Sequence, residues 1–244
     1  MKAAIALVSI LMLSSQTSAE EARQVRQGQP VAVTSDLAYL LFREDPRQGP
    51  GDFEYVLARE LQKTILPLDH VAAPPQFDAQ ASLIRTDARY PYVNDAGQKS
   101  YLLAVPPGVY SIVAVTYKRM PAIGTCLCMG TVRFEARAGM LNDLGYLLGA
   151  IEDKPSRLPE LASYTGSLDW THTTPALALM TVRPSTDEMG APSSLRTLPR
   201  TRAKYAAAGK FPNYFRTMIN RVPPIAGVLA YEGDRAINPQ VPER

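Results

Sequence analysis

The sequence contains few of the residue types that carry most protein chemistry. Its 244 residues include two cysteines, two histidines and one tryptophan. A chain so poor in cysteine does not depend on a disulfide framework, so it must fold by burying an apolar core. The Gly-x-Ser-x-Gly elbow, the His-Glu-x-x-His zinc motif and the phosphate-binding loop are also missing from it. These absences argue against the enzyme classes that those motifs define.

Neither histidine has the partners of a catalytic base. His172 follows Asp169 by three residues, and an aspartate at that distance is able to orient an imidazole. However, no nucleophile accompanies the pair, and His70 lies about a hundred residues away. The arrangement is more typical of surface histidines. We therefore predict a protein that is not an enzyme and that needs no cofactor.

The N-terminal residues have the three parts of a secretory signal peptide. Lys2 gives a short positive region, Ala3 to Leu13 is apolar apart from Ser9, and Thr17-Ser18-Ala19 is a small-residue cleavage site. The apolar run is too short for a membrane span, which needs about 20 apolar residues, and no later run is long enough either. The pattern predicts a signal peptide over residues 1–19, cleavage after Ala19, export to the periplasm and a mature chain that is not transmembrane.

Short runs rich in Val, Ile, Leu, Tyr and Thr alternate with turn signals along the middle of the chain. After a flexible leader over residues 20–30, residues 31–183 are predicted to form one mostly β domain, an antiparallel β-sandwich of the Greek-key, immunoglobulin- or transthyretin-like type. The runs interpreted as its principal strands are Leu37–Arg43, Phe53–Leu61, Tyr101–Val105, Val109–Tyr117, Cys126–Glu135, Leu141–Leu148 and Leu177–Arg183.

A resemblance supports this fold. The stretch LAVPPGVYSIVAV, with its Pro106-Pro107-Gly108 turn and Tyr110, resembles the PPG-x-Y corner of exported carboxypeptidase-regulatory-like and transthyretin-like modules. The stretches CMGTVRFEARAG, GKFPNYF and GVLAYEGD resemble segments of uncharacterised exported bacterial proteins. The resemblance implies a sandwich fold with a binding or structural role, and it carries over no catalytic residue.

The two cysteines, Cys126 and Cys128, are the weak candidates for a metal site. In one continuous strand, residues two apart share a face, so both sulfurs would point toward the core with Val132 and Phe134. They are then buried thiols or a strained disulfide. Alternatively, thiolates with a nearby methionine are soft ligands that suit copper. A periplasmic thiol-handling or copper-handling protein is therefore the alternative function.

The charge of the C-terminal region is the least random feature of the sequence. Residues 184–244 are predicted to form a Pro-rich extension, and no Asp or Glu occurs from Met189 to Tyr231. That interval contains seven cations, which are the candidates for binding to an anionic surface: Arg196, Arg200, Arg202, Lys204, Lys210, Arg216 and Arg221.

One short helix is predicted within this extension. Phe211, Tyr214, Phe215, Met218 and Ile219 recur at helical spacing and form an apolar stripe. In one interpretation this stripe packs on the sandwich. In the other, the basic extension meets phospholipid headgroups or an acidic envelope protein. Export disfavours nucleic acid as the partner.

The sequence therefore predicts an exported, non-catalytic protein of the cell envelope. Its role would be that of a binding, structural or assembly module, and its distinctive surface would be the basic extension.

Overall fold

The fold is mostly β in a computed structural model that describes thirteen stretches of the chain. These are residues 22–31, 34–48, 53–61, 76–77, 84–93, 97–117, 124–126, 132–151, 157–158, 176–186, 190–207, 230–232 and 235–237. The predicted signal peptide and the predicted helix from Phe211 to Ile219 lie outside them.

Fifteen strands lie within the described residues. In chain order they are β1 (Arg23–Val25), β2 (Ala38–Glu44), β3 (Phe53–Arg59), β4 (Ile84–Arg85), β5 (Tyr92–Val93), β6 (Lys99–Val105), β7 (Gly108–Tyr117), β8 (Gly124–Cys126), β9 (Val132–Ala136), β10 (Leu141–Ile151), β11 (Ala176–Arg183), β12 (Arg200–Arg202), β13 (Tyr205–Ala207), β14 (Ala230–Glu232) and β15 (Arg235–Ile237).

The larger sheet has eight strands and is mixed. Its order is β1-β6-β2-β10-β11-β8, with β12 also paired to β10 and β5 also paired to β6. The pairs β2/β10, β10/β12 and β11/β8 are parallel, so the prediction of an antiparallel sheet is wrong here. The reason is that the alternation of apolar residues fixes which face of a strand is buried but not the direction in which the strand runs.

The smaller sheet has five strands in the order β13-β9-β7-β3-β4. All of its pairs are antiparallel, as predicted. Strands β14 and β15 form a separate antiparallel pair. The predicted strand from Cys126 to Glu135 is wrong, because β8 belongs to the larger sheet and β9 to the smaller one.

The Pro106-Pro107 step carries the chain from one main sheet to the other. It joins β6 of the larger sheet to β7 of the smaller sheet. The hydroxyl of Tyr110 donates a 2.7 Å hydrogen bond back to the carbonyl oxygen of Pro106, and Arg59 donates one of 3.0 Å to the carbonyl oxygen of Pro107. Proline lacks an N–H donor and has a fixed φ, which suits a crossing where ladder hydrogen bonds stop.

Aromatic side chains connect the two main sheets. The ring of Tyr55 on β3 meets the ring of Phe42 on β2 edge-to-face, with 5.7 Å between their centroids. The Tyr55 hydroxyl donates to the Leu147 carbonyl on β10, at 3.2 Å, and the Tyr205 hydroxyl donates to the Leu144 carbonyl, at 2.6 Å. Both tyrosines therefore bury a ring between the sheets and satisfy their polar atom on the opposite sheet.

The other face of the larger sheet is covered by residues 190–198, which we call the covering segment. Its residues Ala191 and Leu195 are buried in an apolar cluster with Tyr39, Leu41 and Leu141. The chain then continues directly into β12 and β13, which pair with the larger and the smaller sheet. Residues 190–207 of the predicted extension are therefore built into both main sheets, whereas β14 and β15 form a pair of their own.

Strand β1 completes the same apolar face. Val25 is buried in the cluster, and β1 pairs with β6. Gln24 accepts a 2.6 Å hydrogen bond from the amide of Asp87, and Gln27 accepts one of 3.2 Å from the amide of Val93. The prediction of a flexible leader is wrong for residues 23–25, which form a strand. Their polar composition is typical of a loop, but the hydrogen bond of Gln24 and the burial of Val25 hold them in place.

Candidate functional site

The most conspicuous polar group lies within the apolar core, on the covered face of the larger sheet. The carboxylate of Asp143 accepts two hydrogen bonds from Arg43, at 2.6 and 2.8 Å, and one from Arg200. Asp143 is fully buried and Arg43 is 1% exposed. This bidentate contact matches the planar guanidinium of Arg43 to the carboxylate of Asp143 and fixes both side chains.

This ion pair also attaches the covering segment to the sheet. Arg43 donates a 2.9 Å hydrogen bond to the carbonyl of Gly190, and Arg200 donates one of 3.2 Å to the hydroxyl of Ser185. The backbone continues the attachment, because the amide of Ala203 donates to the carbonyl of Asp143 at 2.8 Å. Gly190 at the start of the covering segment is thus held by Arg43, and the residues that follow the segment, Arg200 and Ala203, are held by Asp143.

Asp143 remains ionised because its partners outweigh its burial. Burial alone raises the pKa of a carboxyl group, but the hydrogen bonds and charge of Arg43, the charge of Arg200 and the amide of Gly145 lower the pKa of Asp143 below its usual value. A carboxylate held in this state binds cations and does not exchange protons near neutral pH. The geometry therefore suits fixed charge pairing rather than acid–base chemistry.

A second group of charges lies beside the first. Asp45, just beyond β2, accepts 2.7 Å hydrogen bonds from both Arg47 and Arg183 at the same oxygen, Oδ2. Arg183 lies on β11 opposite Tyr146, which lies opposite Arg43 on β2, so one row across three strands links the two groups. We call the four arginines (Arg43, Arg47, Arg183 and Arg200) with Asp45 and Asp143 the arginine cluster.

Asp45 should make stability depend on pH under acid conditions. Although burial raises its pKa, the hydrogen bonds from Arg47 and Arg183 lower the pKa of Asp45 from 3.8 to about 2. A group with a lowered folded pKa stabilises the fold above its unfolded pKa, and the effect is lost as the pH falls through the folded value. We expect the free energy of unfolding to fall more steeply between about pH 4 and about pH 2 in the wild type than in Asp45→Asn. Urea titrations across this range test it, and equal slopes would contradict it.

The smaller sheet contains a third polar group. Ser111 on β7 donates a 2.5 Å hydrogen bond to Glu60, and Arg133 on β9 lies 3.3 Å from the same carboxylate oxygen. Burial raises the pKa of Glu60, against the opposing effects of Ser111 and Arg133. All three side chains are buried. The serine hydroxyl thus donates to a buried acid that an arginine also approaches.

The structure separates the predicted surface cations. Arg196, Arg202 and Lys204 are exposed. Arg200 departs from the predicted surface role, because its guanidinium is bonded to the buried Asp143. Strand alternation shows that Arg200 and Arg202 share a face but not how deeply each is buried. Lys210, Arg216 and Arg221 lie outside the described residues.

Only one of the two cysteines lies within the described residues. The backbone of Cys126 ends β8 and pairs with Leu179 of β11, whereas Cys128 lies outside the described residues. The prediction that both sulfurs share one face depended on a continuous strand to Phe134, and the change of sheet between β8 and β9 removes its basis. Within the described stretches, no three side chains of His, Cys, Asp or Glu form a group that could hold a metal ion. His172 and Asp169 also lie outside these stretches.

Sequence reasoning missed the arginine cluster, although a signal was present. Arg43 ends the apolar run LAYLLFR, and Asp143 stands in MLNDLGYLLG. A charged residue inside a strongly apolar strand is rarely buried without a partner. The sequence thus marks both residues as unusual, but it does not show that they pair with each other across one hundred positions of the chain.

The fold and these groups define a mostly β protein with two main sheets and buried, paired charges. The described residues contain no helix long and apolar enough to cross a membrane. No protein-family model matches the chain, no curated protein matches it, and no solved structure matches its fold.

Proposed function

We propose that the two main sheets form a β-sandwich of the Greek-key, immunoglobulin- or transthyretin-like type. Two observations support this arrangement. Tyr55 and Tyr205 each cross from the smaller sheet to backbone carbonyls of the larger one. The hydroxyl of Tyr110 bonds back to Pro106, which resembles the tyrosine corner of many Greek-key proteins. The parallel pairs of the larger sheet set this chain apart from a regular immunoglobulin domain.

We propose further that the chain is an exported, non-catalytic envelope protein that binds an anionic surface through exposed cations near its C-terminal end. The observation that carries this proposal is the placement of Arg196, Arg202 and Lys204. All three are exposed, on a segment whose backbone is fixed to the larger sheet at Pro199 and Ala203. Cations held on a fixed segment lose less conformational freedom on binding than cations on a free tail. Phospholipid headgroups of an anionic leaflet are the proposed partner.

Sedimentation with lipid vesicles tests this proposal. Near an anionic leaflet each cation contributes about 1 kcal/mol. The double variant Arg202→Gln/Lys204→Gln should therefore bind phosphatidylglycerol vesicles about tenfold or more weakly than the wild type at low salt. High salt should release both proteins, because exposed charges are screened.

The matched control removes two exposed cations elsewhere on the molecule, Arg85 and Lys99. Arg85→Gln/Lys99→Gln should bind nearly as well as the wild type if the C-terminal cations form the site. A wild-type protein that stays in the supernatant at low salt would refute the proposal. Equal losses in the two double variants would show a response to net charge alone and would refute it as well.

A further inference from the structure

We propose that the exposed pair of Arg26 and Tyr90 is a docking site for an acidic segment of a partner protein. Arg26 directly follows β1, a strand at the edge of the larger sheet, and Tyr90 lies in the turn that precedes β5. The pair includes none of the cations assigned to the proposed membrane surface. Failure of either proposal therefore leaves the other standing.

The guanidinium of Arg26 lies over the face of the Tyr90 ring, with 3.9 Å between its central carbon and the ring centroid. The negative face of an aromatic ring attracts the planar cation of arginine. The N–H groups lie in the plane of the guanidinium, so stacking occupies its face and leaves its edge available to acceptors. Among the described residues, no hydrogen bond or ion pair occupies this edge, and Arg26 is exposed.

Two glutamine side chains hold the pair in place. Gln24 donates hydrogen bonds to the carbonyl oxygens of Asp87 and Tyr90, at 3.1 and 2.7 Å, and so attaches the turn that contains the tyrosine to β1. The side-chain oxygen of Gln29 accepts a 2.6 Å hydrogen bond from the amide of Arg26, and the amide of Gln29 donates to the Arg26 carbonyl at 3.0 Å. A cation whose backbone and ring partner are already fixed loses less conformational entropy on binding than a mobile one.

Arg26 carries the charge that a partner would meet. A second arginine, Arg89, lies 5.5 Å from the centroid of the same ring, but it forms a 2.6 Å ion pair with Asp87. Arg26 has no carboxylate partner among the described residues. Its guanidinium stays protonated at every physiological pH, so the group that it attracts is an anion. A carboxylate matches the guanidinium edge with two parallel hydrogen bonds.

The composition and geometry of the pair favour a protein as the partner. Tyr90 is 38% exposed, whereas Tyr92, two residues later, is 2% exposed within the apolar cluster, so the core does not use the first of these rings. Exposed tyrosine and arginine are the residue types that most often dominate binding at protein interfaces. A lipid leaflet attracts many cations without regard to their orientation. A single guanidinium in a fixed orientation instead suits a directional contact with one carboxylate.

Fluorescence anisotropy of a labelled hexaglutamate peptide, titrated with the purified protein at low salt, tests the proposal. We expect saturable binding by the wild type and binding about tenfold or more weaker in Arg26→Gln, since a hydrogen bond between charged groups is worth at least one decade in affinity. Arg26→Lys keeps the charge but removes the planar fork. It should bind about threefold or more weakly than the wild type, because one of two hydrogen bonds is lost.

Two further substitutions separate the stacked pair from charge in general. Arg85 is exposed on β4, so Arg85→Gln removes the same charge outside the pair and should bind the peptide nearly as well as the wild type. Tyr90→Ala removes the ring and should weaken binding, whereas Tyr90→Phe keeps an aromatic face and should bind as the wild type does. Because Arg26 and Tyr90 are exposed, these variants should keep the fold, which thermal melts would verify.

Selective loss of peptide binding in Arg26→Gln, Arg26→Lys and Tyr90→Ala supports the site. Absence of binding by the wild type, equal losses in Arg26→Gln and Arg85→Gln, or full binding by Arg26→Lys would overturn the proposal. Sedimentation with phosphatidylglycerol vesicles examines the other occupant. A larger loss of vesicle binding than of peptide binding in Arg26→Gln would show that the pair recognises lipid headgroups and would refute a protein partner.

Discussion

Replacing Asp143 with asparagine is expected to lower the free energy of unfolding by about 3–5 kcal/mol, the usual effect of removing one partner from a buried ion pair. The amide has nearly the shape of the carboxylate but no charge. Arg43, 1% exposed, would be left as a buried cation without its anion. Arg200 would lose the same partner, and with it the side-chain contact that holds the start of β12, just after the covering segment. Urea denaturation followed by near-ultraviolet dichroism measures the change.

The control for Asp143→Asn is Asp87→Asn. Asp87 pairs with Arg89 at 2.6 Å, a distance equal to that of the buried pair, but the side chains are 29% and 65% exposed. Exposed pairs contribute about 0–1 kcal/mol, because water screens them. A loss of less than about 1 kcal/mol in Asp143→Asn would show that the buried pair adds no more than a surface pair and would refute the assigned role of Asp143.

Gly145→Ala is expected to destabilise the fold by about 2–5 kcal/mol through backbone strain and overpacking together. Gly145 follows a β-bulge in β10 and has φ of +82°, a conformation that alanine disfavours. A Cβ atom built there would overlap the carbonyl oxygen of Arg183 and lie 2.5 Å from the amide nitrogen of Ser185. Both atoms belong to backbone and cannot rotate away.

Gly97→Ala separates the two causes. Gly97 has φ of +76°, close to that of Gly145, but a Cβ atom there would meet nothing within 4 Å. The variant should therefore show only the conformational effect, about 1–2 kcal/mol. If both alanine variants unfold at the same urea concentration with equal slopes, the contact of the added Cβ atom with the backbone of Arg183 and Ser185 does not lower the stability, and our explanation of Gly145 is wrong.

The strands that could be predicted are those with dense apolar composition. Leu37–Arg43 and Leu177–Arg183 correspond to β2 and β11 within one residue at each end. In these stretches β-branched and aromatic residues favour a pleated surface, and burial reinforces the preference. The class of fold follows from such segments, and the prediction of a mostly β protein is confirmed.

The strands that could not be predicted depend on partners far away in the chain. Arg23–Val25 and Arg200–Arg202 have only three residues each and little apolar content. They are strands because β6 and β10 offer them hydrogen bonds, and because Gln24 and Arg200 find specific partners. Local propensity does not contain this information, since tertiary contacts override it.

The candidate site residues also divide into those whose position could be predicted from the sequence and those whose position could not. The sequence located Arg196, Arg202 and Lys204 as basic residues near one another, and the structure leaves them exposed. The sequence predicted the same surface role for Arg200, because a count of charges does not distinguish a side chain that points into the core from one that points into solvent. Only the register of β12 against β10 places Arg200 and Asp143 within reach of each other.

The position of the covering segment has a consequence for how the chain folds. The apolar face beneath it combines Val25 from the beginning of the described chain with Leu195 from near its end, and the parallel neighbours β2 and β10 are about a hundred residues apart. Contacts of such long sequence separation raise the contact order, which slows folding. During synthesis from the N-terminus, this apolar face stays exposed until Leu195 has been made. The topology of the sheet therefore requires that the incomplete sheet be shielded from other chains until then.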